Sequence, residues 1–226
     1  SPLLVDWITT SARLDDAIDA GGPIFDASGI DASTADFALP FARPGVLMCI
    51  GSNYSDHIAE MPIPITPTYP YSFLMTPSNT LRGSGAPVEK PAKSQMMDWE
   101  AELGAVIGVS AKHVSEKDAL RYVAGYVNFN DLSARDWVAN RPGVGMDWVR
   151  HKAHDGFAPV GPYFVPARFV SDPQDLPMRL SVNGVVKQQS STANMIYGLE
   201  AIIQHLTGIM TLNPGDIIAT GTPAGV

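Results

Sequence analysis

The sequence contains a single cysteine, Cys49, so the chain cannot form an internal disulfide. Long hydrophobic runs are also missing, because the longest apolar stretches, 46–51 and 103–109, fall far short of the ~20 residues that a membrane-spanning helix needs. The first residues carry neither the basic flank nor the apolar run of a signal peptide. These absences predict a cytoplasmic protein that does not span a membrane. The start without methionine and the abrupt end at Gly225 and Val226 further predict that the termini are incomplete.

Positive charge is scarce, since 15 lysine and arginine residues oppose 23 aspartate and glutamate residues and give a net charge of −8. A chain with this balance and no stripe of basic residues repels a phosphate backbone, so nucleic acid is not expected as a partner. The motifs G-x-S-x-G, H-E-x-x-H, G-x-x-x-x-G-K-[ST] and G-x-G-x-x-G are absent, and the chemistries they serve lack support. With 45% hydrophobic and 17% charged residues, the composition is that of a globular protein with a substantial core.

Two parts of the chain differ in their patterns. Residues 1–45 are predicted to form a small N-terminal subdomain, with a short helix that Thr10 or Ser11 caps and that carries Leu14 and Ile18 on one face. Residues 46–226 consist of short apolar runs between glycine and proline turns, which predicts a catalytic domain of many strands and few helices, mainly β within the α+β class. The predicted strands are 46–50, 72–75, 102–109, 123–130, 164–165, 178–182, 185–187 and 216–220.

Turn and helix signals divide this second part further. Asn183-Gly184 tolerates the positive φ values of a type I′ turn and predicts a hairpin between its flanking strands. The main helix is predicted over 194–206, with Ser191 or Thr192 as its cap, because its apolar residues fall on one face. The proline-rich segment 61–71 can be neither helix nor central strand, so we expect a loop there that covers a site.

Two glutamates in one strand are the most informative feature. Glu100 and Glu102 share a strand face that continues with small and apolar residues, and adjacent buried carboxylates repel each other unless a cation or proton neutralises them. The alternative is an exposed edge strand on which both side chains are solvated. Asp131, at the tip of another predicted strand, supplies a third acid. Three oxygen ligands without a nearby cysteine favour Mg²⁺, Mn²⁺ or Ca²⁺.

Candidates for proton transfer lie in two other segments. His57 and Glu60 have i, i+3 spacing in a predicted helical turn, which suits a base and the carboxylate that orients it, although an ordinary surface pair has the same spacing. Lys152 is equally compatible with a catalytic role or with a solvated side chain. His151 and His154 also have i, i+3 spacing, but no third nitrogen or sulfur ligand accompanies them, so a zinc site is not expected.

A further segment, 220–225, follows a predicted strand and offers hydroxyl and backbone N–H groups to an anion, or forms a simple turn. Taken in order, this segment and those above resemble the fumarylacetoacetate hydrolase family, in its acylpyruvate hydrolase-like branch, over 47–226. The matching stretches are Gly51-Ser52-Asn53-Tyr54 with His57 and Glu60, Asp98 to Leu103, Gly125-Tyr126 through Asn130 to Asp136, Lys152 with Asp155, Phe157, Pro159, Gly161 and Pro162, Ser190 to Met195, and Met210 to Asp216 with Gly221-Thr222-Pro223.

The resemblance implies a roll of mixed β-sheets, usually a homodimer, that acts on a small 2-oxo acid or diketone. It implies that Glu100, Glu102 and Asp131 hold Mg²⁺ or a similar ion, which stabilises the enolate released when a C–C bond breaks. His57 and Glu60 are then expected on a lid helix, where they deprotonate a water. The resemblance further implies that Lys152 faces the substrate oxyanion, that Thr222 holds the substrate carboxylate, and that the other substrate contacts include Tyr54, Arg135 and Gly221.

Two positions depart from the pattern of acylpyruvate-cleaving members. Met75 stands where a lysine is expected, and Val138 stands where a glutamine is expected. Both exchanges replace a polar side chain by an apolar one, which predicts a pocket for a less charged and bulkier acyl group. The leading hypothesis is hydrolysis of a C–C bond in a 2,4-dioxo acid. The alternatives are a decarboxylase, isomerase or hydratase that uses the same metal site, and a binding protein without activity.

Overall fold

The computed structural model describes residues 31–41 and 44–226, together with positions 12, 13 and 16. Its main element is a six-stranded mixed sheet of order β2-β1-β12-β5-β6-β9, in which β1 and β12 are parallel and the other neighbours are antiparallel. The strands are β1 (Leu47–Gly51), β2 (Tyr71–Met75), β3 (Leu81–Arg82), β4 (Met97–Asp98), β5 (Ala101–Ile107), β6 (Val123–Asn130), β7 (Ser133–Ala134), β8 (Ala158–Pro159), β9 (Val165–Pro166), β10 (Pro177–Val182), β11 (Val185–Ser191) and β12 (Ile217–Ala219).

In residues 31–41 and 44–226, helices are short and few, as the sequence predicts. The α-helices are α1 (Ser55–Glu60), α2 (Pro77–Thr80), α3 (Asp136–Ala139), α4 (Trp148–Lys152) and α5 (Leu199–Ile209), and 3₁₀ turns cover Ala32–Thr34, Glu116–Tyr122, Ala167–Phe169 and Thr192–Asn194. Within the described ranges, no helix combines the length and the apolar character required to cross a membrane.

The sheet has a hydrophobic core on each face, because successive strand residues point to opposite sides. In β1, Leu47 and Cys49 belong to one core, which also contains Phe73 and Phe157. Met48 and Ile50 belong to the other core, which the apolar side of α5 covers with residues such as Ile202. The strands in the middle of the sheet are therefore buried on both faces, and polar side chains at their ends are enclosed.

The hairpin prediction is confirmed. β10 and β11 pair in antiparallel register across Asn183 and Gly184, whose φ values of 51° and 79° are those of a type I′ turn. Segment 61–71 is a loop up to Tyr71, which already belongs to β2.

The predicted start of the main helix is wrong by five residues, because α5 begins at Leu199 instead of Asn194. Ser191 caps a separate 3₁₀ turn, where its hydroxyl accepts a hydrogen bond from Ala193 N. The chain then stays extended because Asn53 binds it: Asn53 O accepts from Ile196 N at 2.7 Å, and Asn53 Oδ1 accepts from Tyr197 N at 2.9 Å. The cap and helix predicted around Thr10, Ser11, Leu14 and Ile18 lie outside the described residues, and the division at residue 45 stays a prediction.

Candidate metal centre and active site

Three carboxylates meet where β5 begins and β6 ends. Ala101 pairs with Asn130, so Glu100 and Asp131 flank this pair, and Asp131 N donates to Glu100 O at 2.9 Å. One carboxylate oxygen of each of Glu100, Glu102 and Asp131 lies within 4.8 Å of the other two, and all three side chains are buried. The alternative of an exposed edge strand is wrong, because β5 lies between β12 and β6 in the middle of the sheet.

Two cations lie against this acid cluster. Lys152, at the end of α4, places Nζ 2.7 Å from Glu100 Oε2 and 2.9 Å from Asp131 Oδ2. The guanidinium of Arg135 lies 2.7 Å from Glu100 Oε1 and 2.9 Å from Asp98 Oδ2, so it links these two carboxylates. The carboxylates outnumber the cations, so an uncompensated negative charge remains in a buried place.

Burial and the neighbouring charges displace the pKa values of the cluster. Burial, followed by the negative charges of Asp131 and Glu100, raises the pKa of Glu102 well above its usual range. Burial also raises the pKa of Asp131, although the Lys152 ammonium opposes this. Burial acts in the same direction on Glu100, but Lys152 and Arg135 outweigh it and lower the pKa of that carboxyl. The arrangement therefore favours a bound proton or a further cation at Glu102.

The acid cluster fits a divalent metal ion. Asp131 Oδ1 is buried and has no hydrogen-bond partner in residues 31–41 and 44–226, which is costly unless another group completes its surroundings. Within the part of the chain that the structure describes, Glu102 Oε2 accepts a hydrogen bond only from the backbone N–H of Gly221, at 2.9 Å. Carboxylate oxygens without nearby sulfur suit hard cations such as Mg²⁺, Mn²⁺ or Ca²⁺. Glu100, Glu102 and Asp131 are the residues that would hold such an ion.

His57 and Glu60 form the contact that their spacing predicts. Both lie on α1, and His57 Nδ1 is 2.8 Å from Glu60 Oε1. The backbone N–H of Gly225 donates to both oxygens of Glu60, at 3.2 and 3.0 Å. The Glu60 carboxylate is thus held from two sides, and it fixes the orientation of the imidazole.

A cavity of about 160 Å³ is lined by His57 as well as by Glu100, Asp131 and Lys152. Its wall has a charged part and an apolar part. Phe73 and Trp148 form the apolar part and stack face to face, with ring centroids 4.1 Å apart and an angle of 5° between their planes. The remaining lining residues are Ile50, Gly51, Ser52, Met61, Arg135, Val138, Met146, His151 and Thr222.

A larger groove, of about 700 Å³, lies between the β10–β11 hairpin and strands β5 and β6. Its lining includes Glu102, Asn128 and Met178, but it contains none of the other acids, neither residue of the His57–Glu60 pair, and not Lys152. The smaller cavity therefore brings together more of the candidate catalytic residues, although the groove has the greater volume.

The other predicted substrate contacts differ in whether they line the cavity. Thr222 lines the cavity, but its hydroxyl donates to Ala101 O at 2.9 Å and accepts from Gln188 Nε2 at 2.8 Å. Gly221 is bound to Glu102, as described above. Tyr54 does not line the cavity: its side chain is fully buried and its hydroxyl contacts Met178 Sδ at 3.1 Å. We therefore assign Tyr54 to the core rather than to substrate binding.

The structure corrects one of the two specificity positions. Val138 lines the cavity, but Met75 does not. Met75 is 3% exposed and packs in the core that also contains Leu47. Phe73, two residues earlier on the same face of β2, reaches the cavity instead, because the strand passes the site before Met75 is reached.

Sequence reasoning missed the aromatic wall and the role of α4 in forming it. Asp147 caps this helix by accepting from Arg150 N at 3.0 Å, and one helical face then brings Trp148, His151 and Lys152 toward the cavity. The i, i+3 and i, i+4 spacing of these residues was the available signal. Among the described residues, His151 and His154 belong to no cluster of three or more metal-binding side chains.

Comparison with known proteins agrees with this geometry. The family model described as fumarylacetoacetate (FAA) hydrolase C-terminal matches residues 46–226. A mitochondrial oxaloacetate tautomerase of Xenopus laevis is 41% identical over 194 residues, which are 86% of this chain and 60% of the relative. A 2,4-didehydro-3-deoxy-L-rhamnonate hydrolase of a Sphingomonas strain is 41% identical over an alignment of 231 positions, which covers 92% of this chain and 79% of the relative.

The fold is similar to that of a solved structure. The fumarylpyruvate hydrolase of Pseudomonas aeruginosa, in complex with Mn²⁺ and pyruvate, has a TM-score of 0.72 and 29% identity, and the match covers 87% of this chain and 83% of that chain. The mixed sheet with few short helices is therefore the fold of these relatives. The chain spans only about 60% of the length of several curated relatives that it matches.

Proposed function

The chain belongs to the fumarylacetoacetate hydrolase family, and from this premise we propose that it is a divalent-metal-dependent enzyme that hydrolyses a C–C bond in a 2,4-dioxo acid. The observation that carries the proposal is that His57, which contacts Glu60, borders one cavity together with Glu100 and Asp131, which form the acid cluster with Glu102. A base beside a cation site is the combination that an attacking water and a departing enolate require.

In the proposed reaction, the residues on the two sides of the cavity have different roles. His57 removes a proton from a water, whose oxygen forms a bond to C4 of the substrate, and Glu60 stabilises the imidazolium that results. The bond between C3 and C4 then breaks, its electron pair remains on C3, and the proton from His57 completes the 2-oxo acid product. A bound Mg²⁺ or Mn²⁺ supplies Lewis-acid stabilisation of the enolate charge.

Lys152 and Arg135 contribute positive charge on the same side. The Lys152 ammonium, buried beside Glu100 and Asp131, lies where an enolate oxygen held at the acid cluster can accept a hydrogen bond. Arg135 holds Glu100 through its guanidinium and is itself held by Asp98. We therefore assign Lys152 to the oxyanion and Arg135 to the orientation of Glu100 and the binding of the substrate.

The experiment that tests this function is a screen of 2,4-dioxo acids with different acyl groups, carried out with Mg²⁺, with Mn²⁺ and with a chelator. Hydrolysis requires two products, a 2-oxo acid and a carboxylic acid, in equal amounts and only in the presence of the ion. Intact substrate under all ion conditions contradicts the proposal.

A second candidate, a tautomerase, isomerase, decarboxylase or hydratase of a 2-oxo acid, is favoured by the similarity to the oxaloacetate tautomerase. Such a reaction needs a base but no aimed water, so the pair of His57 and Glu60 favours hydrolysis. The same product analysis separates the two, because an isomer, a hydrated acid or CO₂ in place of two carbon fragments establishes the second candidate.

Assembly and location are part of the proposal. We propose a homodimer, which light scattering of the purified protein tests directly. The cytoplasmic location stays a prediction from the sequence, since tautomerase relatives are named as mitochondrial proteins.

A further inference from the structure

His151 is a buried polar side chain that the chemistry above does not use. It lines the cavity, it is 3% exposed, and neither Nδ1 nor Nε2 has a hydrogen-bond partner among the described residues. A buried polar atom without a partner destabilises the folded protein, because it has lost its hydrogen bonds to water. An arrangement with two such atoms beside an active site is explained most simply if a bound molecule supplies the missing partner.

The surroundings of His151 fix its orientation and its charge state. The ring stacks on Trp148 with centroids 5.8 Å apart and 25° between the planes. Burial lowers the pKa of His151 to about 3, and the positive charge of Lys152 acts in the same direction. A neutral imidazole has one donor and one acceptor nitrogen, so it suits an uncharged hydroxyl or carbonyl group.

The two cationic side chains, lysine and arginine, that line this cavity are paired with acids. Lys152 is bound to Glu100 and Asp131, and Arg135 is bound to Asp98 and Glu100. Trp148, on which His151 stacks, and Phe73 give the same cavity an apolar aromatic surface. Lys152 and Arg135 are assigned to the 2-oxo acid end, and a second substrate carboxylate would find no further lysine or arginine among the described lining residues, whereas an uncharged oxygen can bond to the imidazole.

We propose that His151 is a specificity-determining residue that hydrogen-bonds an uncharged hydroxyl or carbonyl oxygen on the tail of the substrate, beyond the 2-oxo acid group. The carbon skeleton of that tail packs against the stacked rings of Phe73 and Trp148. The inference rests on the proposed function, because it takes the 2-oxo acid group to lie at the acid cluster. It narrows the substrate class to 2,4-dioxo acids with an oxygenated, uncharged tail.

The test compares 2,4-dioxohexanoate with its 5-hydroxy and 6-hydroxy derivatives in the presence of Mn²⁺. We expect wild-type kcat/KM to be higher for at least one hydroxylated acid. His151→Phe keeps a stacking ring and removes both nitrogens, so it should lower kcat/KM for that acid about 10-fold and leave the plain acid within about 2-fold. His154→Phe is the matched control, because His154 is outside the cavity lining and bonds to Arg150 O.

Equal loss on the plain and the hydroxylated acids would show a structural role and overturn the inference. A wild type without preference for either hydroxylated acid overturns it without any variant, so misfolding of His151→Phe leaves the test intact. If none of the acids is turned over, the proposed function fails. Calorimetric titration of the same acids into the Mn²⁺-loaded wild type and His151→Phe then tests His151 separately. The inference holds if the wild type binds the hydroxylated acid more tightly than the plain acid and His151→Phe loses this difference.

Discussion

Lys152 Nζ lies 2.7 Å from Glu100 Oε2, and 3% and 9% of the two side chains are exposed. The chain thus brings its own cation to the carboxylates that are proposed to hold a metal. Lys152 neutralises Glu100 and also contacts Asp131, whereas Glu102 receives a single backbone N–H. Glu102 is therefore the acid whose charge most needs a divalent ion.

The first prediction concerns the stability of the metal-free protein. Glu102 and Asp131 have raised pKa values in the folded state, so above pH 6.5 the folded protein keeps protons that the unfolded chain has released. The free energy of unfolding should fall as the pH rises above 6.5, by about 1.4 kcal/mol per pH unit for each retained proton. Asp131 contributes only up to its folded pKa of about 7, whereas Glu102, whose pKa is raised well above its usual range, continues the fall above that pH. His151 contributes the opposite slope only below its usual pKa of 6.5.

Denaturant unfolding at several pH values measures this slope. Glu102→Gln and saturating Mn²⁺ should each flatten it, because both remove the charge that is left uncompensated. Parallel pH profiles for the metal-free wild type, the variant and the Mn²⁺-loaded protein would contradict the prediction.

The second prediction is that replacing Glu102 weakens the binding of the divalent ion. Glu102→Gln should reduce the affinity for Mn²⁺ at least about 10-fold and abolish turnover while the protein stays folded, since the substitution removes a ligand and also relieves repulsion. Calorimetric titration measures the affinity and circular dichroism the fold. Glu89→Gln, on an exposed residue outside the cavity, is the matched control. Full activity of Glu102→Gln in chelator would rule out the metal assignment.

The third prediction concerns the base. His57→Ala should lower kcat about 10² to 10⁴-fold, as is typical for a positioned base, and leave the affinity for Mn²⁺ unchanged because His57 is no ligand. Glu60→Gln should lower kcat less, since the imidazole remains. His113→Asn, on an exposed histidine that does not line the cavity, should leave kcat intact. Near-normal kcat in His57→Ala would remove this residue from the mechanism.

Local patterns determine most of the fold, which is why they could be predicted. Apolar runs specify the strands, and Asn183-Gly184 specifies a turn whose positive φ values few other residues tolerate. The start of α5 could not be predicted in this way, because it depends on a tertiary contact. Asn53 holds the chain at Ile196 and Tyr197 from more than 140 residues away, so helix propensity is overridden until Leu199.

The same distinction applies to the site. Glu100 and Glu102 could be grouped by strand period, and His57 and Glu60 by helical spacing, because each pair is local in sequence. The contact of Lys152 with the acids, 52 residues from Glu100, follows from packing alone. Met75 illustrates what strand period cannot predict. The period places Met75 and Phe73 on the same face of the strand, but it does not say which of the two reaches the cavity.

The fourth prediction concerns the contact that holds Glu60. Gly225 donates to Glu60 and accepts from Trp99 Nε1 at 3.0 Å, and an added Cβ would lie 2.2 Å from Lys187 O. Gly225→Ala should therefore displace the Glu60 contact and lower kcat about 10-fold. Gly85→Ala is the matched control, because Gly85 also has a positive φ, 79°, but its added Cβ meets nothing within 4 Å.

Both alanine variants should lose stability through their positive φ, by about 1–2 kcal/mol. Only Gly225→Ala should lose activity. Equal kcat values for the two variants, measured with the protein fully folded, would separate Gly225 from the function of the dyad.

The last prediction concerns the tail of the substrate, and it separates the two positions that the sequence singled out. Val138 lines the cavity beside Phe73 and Trp148, so the wild type should favour acylpyruvates with an uncharged tail over fumarylpyruvate, which has a distal carboxylate. Val138→Gln adds an amide donor there and should shift the ratio of the two kcat/KM values toward fumarylpyruvate.

Met75→Lys should behave differently, because Met75 is enclosed in the core and a lysine there would bury an ammonium without a partner. We expect this variant to lose thermal stability and to leave the substrate ratio of the folded fraction unchanged. A stable Met75→Lys protein with a shifted ratio would restore Met75 to the pocket. A wild type that already prefers fumarylpyruvate by about 10-fold, equivalent to ~1.4 kcal/mol, would show that the apolar wall does not select the tail.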